Sequence, residues 1–276
     1  MVEEDVIKFS DSSEKKIWYM KQSPGGYLML SALAGIYLGF GIVLIFSVGG
    51  PIAEAGGGAY LKLIMGACFG IALSLVIFAG SELFTGNNMV FSIGALSKKV
   101  GPGPILVLFA LCFIGNLIGS VFLGWLVVMG GSLTSGAKEL ILQASAQKMN
   151  LDGGEAFIRG VLCNWLVCLA VWCSTRTKSD VAKLVMIFWC LFAFIASGFE
   201  HSIANQTLFS MAMFLPHGAD ISLQGFIHNQ IYVVAGNVVG GGIMVGMVYW
   251  FAGSYNPKKE GFNPNRHASM EKKGEV

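Results

Sequence analysis

Charge is what this sequence has least of. Asp, Glu, Lys and Arg make up 12% of its 276 residues, about half the share found in soluble domains. Hydrophobic residues make up 54%, more than an ordinary globular core needs. The net charge of +2 is too small to suggest nucleic-acid binding. The six cysteines, Cys68, Cys112, Cys163, Cys168, Cys173 and Cys190, form no Cys-x-x-Cys, and no His stands at metal-ligand spacing from them. They read as small buried hydrophobes, with no metal and no cofactor expected. The N-terminus lacks the form of a cleavable signal. Residues 1–26 are polar, and the first apolar run begins near Tyr27 and is too long for an h-region of roughly 7–15 residues. Glycine is plentiful at 37 without a Gly-X-Y period, which excludes collagen and suits close-packed membrane helices.

What remains is a series of long apolar runs. A spanning helix needs about 20 apolar residues. The runs are Tyr27–Gly49, Tyr60–Ser97, Pro104–Met129, Glu155–Thr175, Val181–Leu215 and Gly225–Phe251, with an amphipathic stretch at Ser132–Asp152 too polar to span. The second and fifth runs are overlong. Each is interrupted, at Gly80-Ser81-Glu82 and at Ser197-Gly198-Phe199-Glu200-His201. One crossing made of two half-helices is the expected form of each. With both termini inside, 14 of the 18 Lys and Arg fall on the inner side, a positive-inside bias that fits six crossings. The expected division is a cytoplasmic segment 1–26, a transmembrane domain 27–253 and a cytoplasmic tail 254–276.

An internal repeat supports this topology. Gly80, Glu82, Asn87 and Phe91 align without gaps on Gly198, Glu200, Asn205 and Phe209. Gly115-Asn116-Leu-Ile-Gly119 matches Gly236-Asn237-Val-Val-Gly240. Three crossings per half make the halves, about 27–131 and 154–251, inverted repeats. Broken helices meeting at the midplane of such repeats are a transport architecture.

Backbone freed by a break must be buried in protein or line a wet cavity. Half-helix N-termini there suit an anion or a polar neutral solute. Glu82 and Glu200 are expected to accept hydrogen bonds from freed N–H groups and hold the loops. A device repeated in both halves reads as architecture first. His201 breaks the symmetry, because its counterpart is Leu83. A lone His in an apolar span is often a packed residue. The asymmetry favours a pore-lining group that donates a hydrogen bond or exchanges a proton near neutral pH. Thr85 is placed to present a hydroxyl to the same cavity, and Asn164 to fix the imidazole orientation. Phe69, Phe84, Phe194 and Phe199 flank the breaks, either as packing or as constrictions that exclude hydrated ions. Lys148 either solvates a loop or attracts anions to a pore mouth.

At these residues the sequence resembles the formate/nitrite transporter family. The motifs are Gly-Ser-Glu-Leu-Phe-Thr-Gly-Asn at 80–87, Cys-Asn-Trp-Leu-Val-Cys at 163–168 and Ser-Gly-Phe-Glu-His-Ser-Ile-Ala-Asn at 197–205. The match extends over roughly residues 20–255. The resemblance implies an all-α, aquaporin-like membrane fold of six helices with the second and fifth broken. It implies a homopentamer with one pore per subunit. The family's central histidine, threonine, asparagine and vestibule lysine correspond to His201, Thr85, Asn164 and Lys148. Its constriction residues fall near Phe69, Leu73, Leu83 and Phe194. The family's substrates include formate, nitrite, hydrosulfide and lactate. Formate is expected first, with nitrite close behind.

Apolar rings oppose a full charge, because its desolvation costs many kcal/mol. The expected mechanism is therefore proton-coupled. The anion gains a proton in a vestibule or from His201 and crosses as the neutral acid. A water or glycerol channel would fit the inverted plan, but the paired Asn-Pro-Ala motifs are missing. An enzyme is not expected, since His-Glu-x-x-His and Gly-x-Gly-Asp are absent too.

Overall fold

A computed structural model describes residues 2–253, so the expected tail 254–276 lies outside the described residues. These residues fold entirely from helices. In chain order they are α1 (Val2–Gln22), α2 (Pro24–Glu54), α3 (Gly58–Cys68), α4 (Ile71–Phe78), α5 (Phe84–Leu96), α6 (Pro102–Met129) and α7 (Ser135–Met149). There follow α8 (Gly153–Thr175), α9 (Asp180–Ala196), α10 (Ser202–Phe214), α11 (Leu223–Val238), a π-helix (Val239–Met247) and α12 (Val248–Gly253). Among the described residues, five stretches are long and apolar enough to cross a bilayer: Pro24–Glu54, Gly58–Phe78, Pro102–Met129, Gly153–Thr175 and Leu223–Gly253.

The polar segment 1–26 is not featureless. Its apolar residues recur as Val6, Phe9, Ile17 and Met20, and together with Ser10 and Ser13 they form the buried face of α1. Glu3, Glu4 and Asp5 in the first turn and Lys21 in the last suit the helix dipole. This helix lies against α5 and α12. The stretch expected at Ser132–Asp152 becomes α7, started by Thr134, whose hydroxyl accepts from the Ala137 N–H.

Two helix ends position everything that follows. α4 stops before Gly80 and α9 before Gly198, and both glycines have φ +73°. That left-handed conformation lets the next N–H reach back five residues. Ser81 N donates to Val76 O at 3.1 Å and Phe199 N to Phe194 O at 3.0 Å. Leu83 and His201 then run extended, and α5 and α10 begin immediately after them. α10 is almost wholly enclosed, with Ser202 through Ala212 buried.

The glycine-asparagine repeat explains how the long helices approach. A Cβ on Gly119 would collide with the Ala32 carbonyl of α2, and one on Gly240 with the Val161 carbonyl of α8. The pair α2–α6, and α8 with the π-helix that continues α11, therefore touch backbone to backbone, as small-xxx-small crossings do.

Candidate functional site

The loops between α4 and α5 and between α9 and α10 carry polar backbone into the core. Asparagines lodged between the repeated glycines satisfy it. The Asn116 Oδ1 accepts from Phe84 N at 2.9 Å, while its Nδ2 donates to Glu82 O at 2.9 Å and Ser31 O at 2.7 Å. The Asn237 Oδ1 accepts from Ser202 N at 3.0 Å, while its Nδ2 donates to Glu200 O at 3.0 Å and Gly160 O at 2.8 Å. Glu82 N reaches Leu30 O, and Glu200 N reaches Arg159 O, both at 3.2 Å.

This corrects the role expected of the two glutamates. Their carboxylates hold side chains, because the asparagines and neighbouring carbonyls have already taken those N–H groups. Glu82 accepts from Lys16 Nζ at 2.5 and 2.6 Å, from Asn87 Nδ2 at 3.1 Å and from the Tyr27 hydroxyl at 3.1 Å. Glu200, only 2% exposed, accepts from Lys148 Nζ at 2.5 Å and from Asn205 Nδ2 at 2.7 Å. Each loop thus ends in a Lys–Glu–Asn cluster. Lys148 is bound to a carboxylate rather than free at a mouth.

His201 and Thr85 meet, with Nε2 and Oγ1 3.1 Å apart, both residues buried. The other ring nitrogen, Nδ1, accepts from Ala204 N at 3.2 Å and so caps α10. A nitrogen that accepts carries no proton, which puts the ring proton on Nε2, facing Thr85. Asn164 makes no hydrogen bond to the imidazole. Its Nδ2 donates to Thr85 O at 3.1 Å and Asn237 O at 2.6 Å, because the Thr85 carbonyl at the start of α5 faces α8. It fixes the threonine, and the histidine is held by its own cap.

Two cavities lie nearby. One, of about 260 Å³, is lined by Lys62, Lys148, Arg159, Phe194, Glu200 and His201 among others. The other, of about 350 Å³, is lined by Lys16, Leu73, Glu82, Leu83 and Asn87 among others. Between them lies a waist with no room for a water-sized sphere, where Phe69, Leu73, Leu83, Phe194 and His201 converge. It shares Phe194 and His201 with the first cavity, and Leu73 and Leu83 with the second. Phe194 packs edge-on against Phe69 and stacks on His201, with ring centroids 5.5 and 6.0 Å apart. Phe84 faces away, against Phe109 and Phe113, and Phe199 lines the Lys148 cavity. No group of three His, Cys, Asp or Glu among the described residues could hold a metal.

Sequence reasoning passed over Lys16, Tyr27 and the capping role of Asn116 and Asn237. The repeated Gly-Asn-x-x-Gly was the available signal for the asparagines. Lys16 lies 66 residues from Glu82, on a helix whose buried face mixes apolar residues with Ser10 and Ser13.

Comparison with known proteins places this arrangement. The formate/nitrite transporter family model matches residues 3–251. The nitrite transporter NirC of Escherichia coli (strain K12) is 43% identical over 231 residues, covering 83% of this chain and 84% of that one. A solved "FNT family ion channel" superposes with a TM-score of 0.85 at 38% identity, covering 90% of this chain and 98% of that one. A solved "pentameric formate channel with formate bound" does so with a TM-score of 0.74 at 29% identity, covering 84% and 98%.

Proposed function

The chain belongs to the formate/nitrite transporter family, and from that premise we propose that it passes small monovalent anions, formate and nitrite foremost, with their conjugate acids across a lipid bilayer. One observation carries the reading: two cavities, each with a Lys–Glu pair, and between them an apolar waist lined by His201, whose Nε2 lies 3.1 Å from the Thr85 hydroxyl.

An anion at the waist would lose its water for Phe69, Leu73, Leu83 and Phe194, at a cost of many kcal/mol. A neutral acid faces a far smaller barrier. The anion therefore gathers beside a lysine, takes up a proton in the cavity and crosses as the acid. His201 is a hydrogen-bond donor on this path rather than the proton source. A second proton would have to sit on Nδ1, against the Ala204 N–H it already accepts.

The same proposal includes six crossings in two inverted repeats. α3, α4 and α5 form the second crossing, and α9 and α10 the fifth. The repeated loop geometry and the five long apolar stretches support it. We further propose a homopentamer in the cell membrane with both termini cytoplasmic. The solved pentameric relative and the Lys and Arg distribution favour that arrangement. The family is one of transporters, and we read no enzyme activity into this chain.

The test is competitive uptake of formate, nitrite, hydrosulfide and lactate into proteoliposomes over a pH series. Formate and nitrite should outpace lactate, and their rates should rise as pH falls and the acid form grows. High lactate uptake with negligible formate and nitrite overturns the substrate class. A rate that rises with pH overturns the proton-coupled route.

A further inference from the structure

We propose that Lys62 is the anion-capture residue of the Lys148 cavity, an inference that rests on the transport reading above. Among the described residues, three cations line that cavity: Lys62, Lys148 and Arg159. The charges of two are already answered. Lys148 Nζ is 2.5 Å from Glu200, and Arg159 Nη2 is 2.9 Å from Glu155. An incoming anion must compete with a carboxylate for either. Lys62 has no hydrogen-bond or ion-pair partner among the described residues. It stands exposed on α3, within the second apolar stretch.

Its placement suits capture. A Cβ built on Gly198 would lie 3.9 Å from Lys62 Nζ. The ammonium therefore hangs over the glycine of the loop that leads, within three residues, to Glu200 and His201. A cationic head at the rim of a cavity with low-dielectric walls raises the local anion concentration. Because the head is exposed, salt should screen it. Among the described residues the opposite cavity has no counterpart: the charged residues that line it, Lys16 and Glu82, are bound to each other. Lys62 thus makes the two mouths unequal, and the Lys62 side takes up anions more readily at low concentration.

The experiment offers formate from the Lys62 side of oriented membrane vesicles, over a concentration series, at low and high ionic strength. It compares the wild-type chain with Lys62→Gln, Lys62→Arg and Lys138→Gln, the last an exposed lysine outside the cavity. At low salt, Lys62→Gln should raise the half-saturating concentration about three- to tenfold, with the maximal rate within about twofold of wild type. Lys62→Arg and Lys138→Gln should match wild type. At high salt the difference should largely vanish. If Lys62→Gln keeps the wild-type half-saturation and salt response, the assignment of Lys62 is overturned while transport itself stands. If the wild-type chain takes up neither formate nor nitrite, the transport reading fails and this inference falls with it.

Discussion

Asn116 and Asn237 each answer three polar backbone groups at once, two acceptors and one donor, in places no water can reach. Asn237→Leu keeps the volume and removes all three bonds. Each buried group left unmet costs about 1–3 kcal/mol, reduced where a helical carbonyl already holds another partner. The expected loss is about 2–4 kcal/mol, read as a lower melting temperature of the detergent-solubilised protein. An unchanged melting temperature would mean that the loop finds other partners. Thr85 poses a smaller question. Thr85→Val keeps the shape but removes the hydroxyl 3.1 Å from His201 Nε2. One such bond is worth about 1 kcal/mol or a little more, so formate flux should fall roughly tenfold. Thr85→Ser should stay within about twofold. Equal flux in all three proteins would remove the contact from the transport path.

At the scale of elements, the two loops are terminated alike, and their glycines can be tested apart from packing. A Cβ on Gly80 meets nothing within 4 Å, and one on Gly198 meets only Lys62 Nζ at 3.9 Å. Alanine there pays for the left-handed backbone alone, about 1–2 kcal/mol, or a drop of about 2–8 °C in Tm. A stabilised Gly80→Ala variant would show that the loop tolerates another path. These stops were legible in the sequence, because a Gly-x-Glu repeated at one offset inside overlong apolar runs has few other meanings. The convergence of Phe69, Leu73, Leu83 and Phe194 came from the family resemblance, since aromatic and leucine residues in a span carry no mark of where they point. α1 was not legible as an element, because Ser10 and Ser13 on its buried face dilute the apolar period. The partner of Glu82 was out of reach for a related reason. Lys16 sits on that unrecognised helix, which is clamped by Asp5–Arg176 at 3.2 Å and Asp11–Lys99 at 3.3 Å.

For the whole molecule, the waist is, on the proposed reading, the barrier that turns two charged cavities into a selective path rather than a hole. Both sides supply cations, so charge alone would pass any small anion. On that reading, only the stretch between them distinguishes an anion that can take a proton from one such as chloride that cannot at ordinary pH. Phe194 is the residue whose removal tests this. It is 1% exposed, it packs on both Phe69 and His201, and it borders the Lys148 cavity. Phe194→Ala should extend that cavity to the His201–Thr85 contact and let water follow. Hydrated anions would then cross in charged form. The expected result in proteoliposomes is a chloride-driven change in membrane potential that the wild-type protein lacks, together with a flatter dependence of formate flux on pH. Phe194→Leu, which keeps most of the apolar bulk, should behave close to wild type. The two variants together separate widening from general damage, since a damaged protein would lose formate flux without gaining chloride current. A Phe194→Ala protein that stays tight to chloride and keeps the wild-type pH profile would move the barrier away from this waist.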